Sequence, residues 1–236
     1  SPSQFERALA CPLRWFLTTV GADGPSNAAA SLGTLIHAVA EEHPHGTPEE
    51  LTEALDARIE ELGYNLDTWA GRVADRHARE IVNNLASYVV GVPGEVTVEQ
   101  TVSAEVEGVT IRGRMDRLEQ VDEGVRVTDL KTGKSGYTKA SVAENPQLAA
   151  YQMAMLASGE KVAGARIALL GGSKPQIYDQ PALQGEELER WRESVREVAL
   201  SARGPYFEAR PSQEACRYCS FDRLCPARER GRKVVE

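Results

Sequence analysis

Two aspartates and a lysine stand near the ends of two neighbouring predicted strands. Asp116 lies near the end of the first strand, and Asp129 and Lys131 close the second after a short turn. Two carboxylates brought together in this way could bind one Mg²⁺ or Mn²⁺, because these ions prefer oxygen ligands and leave positions for water and phosphate. Lys131 shares a strand face with Asp129, where its ammonium could orient a water or offset charge on a phosphate. In the competing interpretation, Asp116 pairs with Arg114 or Arg117, and Asp129 and Lys131 form an exposed charge pattern.

Basic residues cluster locally although the chain is acidic overall. The formal net charge of −8 argues against a uniformly basic coat for nucleic acid, but an acidic chain can still present a local basic groove. Charge alone does not distinguish a nucleic-acid contact from a solvated face. The clustered residues are Arg112, Arg114 and Arg117, then Lys131, Lys134 and Lys139, and at the C-terminus Arg217, Arg223, Arg228, Arg230, Arg232 and Lys233.

The four cysteines are distributed unevenly along the chain. Cys216, Cys219 and Cys225 form a C-x₂-C-x₅-C motif near the end, whereas Cys11 lies near the start. Disulfides are disfavoured in an intracellular chain. Zinc and iron-sulfur clusters both accept four thiolates, and the spacing alone leaves these two alternatives equal.

Composition and apolar periodicity place these residues in a chain that is helical in its first third. With 236 residues and 42% hydrophobic residues, the chain can bury one large core. No apolar run approaches the roughly 20 residues of a membrane-spanning helix. The start lacks the layout of a secretory signal and the first residue is not Met, which predicts an intracellular segment of a longer chain. Predicted helices cover Ser3–Val20, a segment opening at Ser31, Glu49–Leu62 and Asp67–Val90.

After Gly94 the apolar period changes to two, which indicates strands. The order of strands, helix and strand predicts an α/β fold: a central mixed sheet flanked by helices, with a helical insert near its N-terminal end. The simplest arrangement of the first three strands is a meander. The predicted strands are Val96–Val102, Val109–Leu118, Val125–Lys131, Ala165–Leu170 and a short one around Ile177, with helices at Ser141–Ala157 and Gly185–Ala202.

The order of five motifs resembles the PD-(D/E)XK nuclease superfamily, in particular its RecB-like branch, which has a restriction-endonuclease-like sheet. A G-x-x-x-H helix, an upstream acidic position, a G-x-x-D-R strand, a D-x-K-T-G strand and a Q-x-x-x-Y helix follow one another. Met115 replaces the proline of the superfamily name, which removes no ligand. The matching segments are Gly33–His37, Glu99, Gly113–Arg117, Asp129–Gly133 and Gln147–Tyr151.

The resemblance implies a role for each matched residue. Lys131 is catalytic together with the two aspartates, and Gln147 and Tyr151 act near the substrate. The backbone carbonyl of Leu130 joins the metal ligands. Arg114, Arg117, Lys134, Gln147 and Tyr151 are the implied DNA contacts. The implied ligands of Mg²⁺ or Mn²⁺ are His37, Asp116, Asp129, the Leu130 carbonyl and, least securely, Glu99.

The cysteines also fit this resemblance. Cys11-Pro12 opens a segment ending in Trp15-Phe16, and Pro226 follows Cys225, as in the 4Fe-4S staple of AddB-type nucleases. The implied ligands are Cys11, Cys216, Cys219 and Cys225. Such a cluster joins both termini around the nuclease core and is structural.

The resemblance implies a metal-dependent deoxyribonuclease that cuts single-stranded DNA in double-strand break processing and recombinational repair. Its implied setting is a bacterial helicase-nuclease in the cytoplasm, at the nucleoid, with the helicase in the same parent chain and a second subunit as partner. Two rivals remain: a catalytically silent DNA-binding scaffold and a stand-alone nuclease of the CRISPR-adaptation type. The chain is predicted to be one domain over residues 1–236, with cluster-binding ends 1–30 and 203–236, a helical region 31–92 and a core 93–202.

Overall fold

The computed structural model shows helices first, then an interleaved set of strands and helices. It describes residues 1–22, 28–59, 65–92, 94–134, 136–229 and 231. The predicted gap at Gly21–Asn27 and the predicted helix end at Leu62 lie wholly or partly outside these residues. The helices are α1 Pro2–Ala10, α2 Pro12–Thr19, α3 Ala28–Glu42, α4 Pro48–Ile59, α5 Trp69–Val90, α6 Lys139–Ala143, α7 Pro146–Ala157, α8 Gly185–Arg203 and α9 Gln213–Cys216. The strands are β1 Val96–Val106, β2 Val109–Val121, β3 Gly124–Lys131, β4 Val162–Leu169 and β5 Gln176–Pro181.

The five strands form one mixed sheet in the order β1-β2-β3-β4-β5. β1, β2 and β3 are an antiparallel meander, as predicted, and β5 is antiparallel to β4. β3 and β4 are parallel, so the chain must cross over between them, and α6 and α7 form that crossover. The mixed sheet flanked by helices that the sequence predicted is therefore confirmed.

Each face of the sheet packs against its own helical layer. On one face, α1, α7 and α8 surround Met115 and Val127. On the other face, α3, α4 and α5 enclose Leu130 and Leu170. The predicted helical insert supplies α3, α4 and α5 and therefore forms one of the two layers on the sheet. Fully burying a side chain of this size contributes about 1.5–3 kcal/mol, so both layers stabilise the fold. Among the described residues, no helix is long and apolar enough to cross a bilayer.

Two helices that the sequence predicted as continuous are each broken before a proline. Cys11 is extended (φ −162°, ψ 103°) between α1 and α2, and Pro12 starts α2. Asn145 caps α7 by accepting a hydrogen bond from the N–H of Leu148, and Pro146 is its first residue. A residue that precedes proline is disfavoured in the helical region. The prediction that Cys11 lies inside a helix was therefore wrong, and the break places it at the start of α2.

Candidate active site

β2 and β3 separate at the two aspartates. Their pairing runs from Val121 and Gly124 to Arg117 and Thr128, after which Asp116 and Asp129 are the next residues. In regular strand pairing, the backbone N–H of Leu130 would donate to a backbone carbonyl on β2. Here it donates to the side-chain carboxylate of Asp116 at 2.7 Å. This side chain spreads the strand ends, so groups from both helical layers can reach the gap.

A reversal of side-chain direction in β1 and β2 brings Glu99 to the same gap. Residues two apart in a strand share a face, yet Val96 packs on the α3–α5 side and Val102 on the α7 side. The reversal occurs at Glu99, whose φ of 51° is rare for a residue with a side chain. Val98 pairs with Arg117 and Gln100 with Met115, so Glu99 lies opposite Asp116. Such backbone strain is concentrated at functional sites.

His37, Glu99 and Asp116 form a candidate cation site. One potential ligand atom from each lies within 4.8 Å of the others, and Nδ1 of His37 is 3.3 Å from Oδ1 of Asp116. Burial opposes a charge on His37, but the hydrogen bond and the charge of Asp116 raise its pKa overall. An imidazole and carboxylates at partial exposure suit a divalent cation. The structure thus brings together three of the predicted ligands, including Glu99.

Asp129 is buried beside this group and bridges two other predicted residues. Its Oδ1 accepts a hydrogen bond from Nε2 of Gln147 at 2.8 Å, and Nζ of Lys131 is 2.8 Å from its Oδ2. Lys131 also donates to Oε1 of Gln147 at 3.4 Å. Burial, with repulsion from Asp116, raises the pKa of Asp129 to about 6 although Lys131 opposes this change.

Lys131 is a fixed cation in this arrangement. Burial alone lowers the pKa of an ammonium, but the charge of Asp129 outweighs that effect and raises the pKa of Lys131 well above its usual value. A lysine that keeps its proton does not act as a general base. It can donate hydrogen bonds and offset negative charge.

Tyr151 holds the backbone of β2 in place. Its hydroxyl donates to the carbonyl of Arg114 at 2.6 Å, two residues before Asp116, and burial raises its pKa to about 12. The Arg114 guanidinium forms ion pairs with Glu99 and Glu41 and remains largely exposed. Tyr151 therefore positions the strand that carries Asp116, while contacts of Tyr151, Gln147 and Arg114 with DNA stay predictions.

Two motif glycines allow close approach of neighbouring elements. A Cβ on Gly33 would lie 3.4 Å from Oγ1 of Thr132, so the α3 helix lies against the end of β3. A Cβ on Gly113 would lie 2.8 Å from Pro2 and 2.9 Å from the ring of Tyr151. The two distances at Gly113 are too short for a real Cβ contact, which explains why position 113 is glycine.

We expect Gly113→Ala to destabilise the protein by about 1–3 kcal/mol, because two rigid rings must move to admit one methyl group. Thermal unfolding measures this as a fall of about 2–4 °C per kcal/mol. Gly91→Ala is the matched control, since the described atom nearest its Cβ is the carbonyl oxygen of Tyr88 at 3.4 Å and its φ of −80° suits alanine. Equal melting temperatures for the two variants would contradict the packing of Tyr151 against β2.

The prediction that Arg117 contacts DNA was wrong, because its side chain is fully buried. The guanidinium lies 5.9 Å from the ring centroid of Tyr88, and its Nε is 3.6 Å from the buried carboxylate of Glu119. Glu119 also accepts a hydrogen bond from Tyr88 and forms an ion pair with Arg126 at 3.1 Å. Sequence analysis missed this buried polar cluster, although charges two apart on a central strand were a signal for it. Lys134 is exposed, and its contact with DNA stays a prediction.

Both cysteine-bearing ends lie side by side. The N–H of Arg210 contacts Sγ of Cys11 at 3.5 Å, and Arg14 donates to the carbonyl of Ala215 at 2.7 Å, next to Cys216. None of the four cysteines is in a disulfide. In the described part of the chain, they do not form a compact group of the kind that ligates a single ion.

The comparisons with known proteins identify a family and a shared fold. A family model of the PD-(D/E)XK nuclease superfamily matches residues 1–226. A protein from Eubacterium rectale, provisionally described as an exonuclease, has 16% identity and a TM-score of 0.54 over 93% of this chain and 85% of its own, which shows a shared fold. The protein SSO0001 has 15% identity and a TM-score of 0.41 over 83% of this chain and 96% of its own. A comparison with curated proteins finds no match. From its sequence match and the geometry of its acidic site, the chain belongs to the PD-(D/E)XK nuclease superfamily.

Proposed function

We propose that this chain is a Mg²⁺- or Mn²⁺-dependent deoxyribonuclease that cuts single-stranded DNA. The observation that carries the proposal is the group of His37, Glu99 and Asp116, set in the gap between β2 and β3 beside Asp129 and Lys131. Nucleases of this superfamily typically use divalent metals. We propose that the carboxylate of Asp129 and the backbone carbonyl of Leu130 complete the ligand set.

The bound cation supplies charge neutralisation at the scissile phosphate and a more acidic water. Lys131 offsets charge that builds on the phosphate oxygens, because its ammonium stays protonated. Gln147 fixes both Asp129 and Lys131 through one amide, so the carboxylate and the ammonium keep one relative orientation. Tyr151 holds the strand that carries Asp116.

Cleavage of end-labelled single-stranded and duplex oligonucleotides tests the proposal. We expect cleavage of the single strand with Mg²⁺ or Mn²⁺ and none with EDTA. Faster cleavage of the duplex would overturn the substrate assignment, and the absence of cleavage with either metal would overturn the proposed activity. We further propose that a helicase in the same parent chain delivers the strand, on the basis of the RecB-like motif order.

We also propose that Cys11, Cys216, Cys219 and Cys225 bind a 4Fe-4S cluster. The donor set supports it, since all four thiols are free and partly exposed, and the two segments that carry them are in contact. The role of the cluster is structural, because it closes a loop over nearly the whole chain and limits the unfolded state.

We expect Cys11→Ala to lose iron and to unfold at a lower temperature, because the cluster then no longer joins the N-terminal helices to the C-terminal segment and only their direct contacts remain. Iron and sulfide analysis together with calorimetry of anaerobically purified protein measures both effects. Once the iron has been removed from both proteins, wild type and variant should have the same unfolding temperature. That result would mean that Cys11 stabilises the protein through iron. One zinc per chain without iron would contradict the cluster assignment.

A further inference from the structure

We propose that single-stranded DNA reaches the active site along a DNA groove made of two adjoining clefts, one around Tyr218 and one around Tyr137. In this groove Tyr218 stacks on an unpaired base, and Arg217 and Arg228 contact phosphates. The inference rests on the proposed function and names the route of its substrate. Arg217 and Tyr218 lie between the two cysteines of the C-x₂-C pair, and neither they nor Arg228 is among the proposed metal ligands or catalytic residues.

The outer cleft combines an exposed aromatic ring with basic side chains. Its volume is about 1330 Å³, and Arg217, Tyr218 and Arg228 line it together with Cys216, one of the proposed cluster ligands. Tyr218 is 77% exposed, and the Arg217 guanidinium lies 5.3 Å from the centroid of its ring. Arg228 forms an ion pair with Asp222 at 3.2 Å. Proteins that bind single strands combine aromatic rings, on which bases stack, with cations that follow the backbone.

Tyr218 and the Arg217 guanidinium beside its ring form a platform for a base. The N-terminal end of the chain holds this platform in place. Arg14, on α2, donates to the carbonyls of Ala215 at 2.7 Å and Tyr218 at 3.4 Å. The backbone of Tyr218 is therefore anchored while its ring faces solvent. A preorganised ring loses little conformational entropy when a base stacks on it.

The inner cleft leads from this platform to the start of α7, the helix that carries Gln147 and Tyr151. It has a volume of about 600 Å³ and shares Gly136 with the outer cleft. In the described part of the chain, no atom beyond its chain neighbours lies within 4 Å of a Cβ built on Gly136. Tyr137 lines the inner cleft directly after the junction at Gly136. Pro146, which also lines it, directly precedes Gln147.

Acidic side chains in the inner cleft are already engaged by partners. Glu144 forms an ion pair with Arg190 at 2.7 Å, and Glu6 accepts a hydrogen bond from Asn145 at 3.1 Å. These partners reduce the repulsion that a phosphate backbone meets there. A single strand fits the groove better than a duplex, because duplex bases stack on each other and offer no face to Tyr218.

Equilibrium binding of a labelled oligodeoxythymidine in EDTA tests the groove without cleavage. We expect Tyr218→Ala to weaken binding about 5- to 150-fold, the range for loss of one stacked base, and Tyr218→Phe to retain wild-type affinity. Tyr206→Ala is the matched control, since Tyr206 is 76% exposed but lines neither cleft. Wild-type affinity in Tyr218→Ala, or equal losses in Tyr218→Ala and Tyr206→Ala, would overturn the inference.

A second measurement uses wild-type protein and so avoids any effect of substitution on folding. Photo-crosslinking with an iodouracil-containing strand should give adducts in the peptide that contains Tyr218. Adducts found only elsewhere would overturn the groove. Wild type that binds through Tyr218 but never cleaves with Mg²⁺ or Mn²⁺ would instead refute the proposed activity and leave the groove standing.

Discussion

Asp116→Asn and Asp129→Asn are each expected to slow metal-dependent cleavage by about 10³-fold or more. A cation supplies several kcal/mol of transition-state stabilisation, and each 1.36 kcal/mol corresponds to a factor of ten. Both substitutions keep an acceptor for the hydrogen bonds from Leu130 and Gln147, so the strands should remain in place. Cleavage rates at saturating metal, with calorimetry to verify folding, measure the effect.

Asp122→Asn is the matched control, because Asp122 is an exposed residue in the turn at the opposite end of β2 and β3. It should cleave at the wild-type rate. Folded Asp116 or Asp129 variants that retain wild-type cleavage would contradict the ligand assignment.

Lys131→Ala is expected to slow cleavage by about 10²- to 10³-fold, the scale for loss of one electrostatic stabiliser of a transition state. Metal affinity should change much less than in the aspartate variants, since Lys131 is a cation and not a ligand. Single-turnover rates at saturating Mn²⁺, measured beside Mn²⁺ affinity, separate the two effects.

Lys161→Ala serves as the control for Lys131, because Lys161 is an exposed lysine just before β4, at the far end of the parallel strand pair. It should leave cleavage unchanged. If Lys131→Ala cleaves at the wild-type rate, the fixed ammonium has no part in the chemistry.

The strands that carry the site could be predicted because apolar and polar residues alternate clearly along them and the turns between them are short. The proximity of Asp116 and Asp129 follows directly from that pairing, since antiparallel strands joined by a tight turn bring their far ends together. The shared position of Gln147 and Tyr151 on one helix face likewise follows from helical spacing.

Other features depend on contacts that no local pattern contains. The reversal at Glu99 requires a positive φ, which the strand pattern of β1 does not indicate. The burial of Arg117 depends on Tyr88 of α5, a distant part of the chain. The helix break at Cys11 was readable from Pro12 alone, but an apolar period that continues across the break concealed it.

The most direct test of the central claim is a titration of Mn²⁺ into anaerobically purified wild type and Asp116→Asn, followed by calorimetry. The structure predicts saturable binding to wild type and an affinity at least about tenfold lower in the folded variant, because Asp116 lies within 4.8 Å of both other ligand atoms. Equal Mn²⁺ affinity in the two proteins would contradict a cation site between β2 and β3.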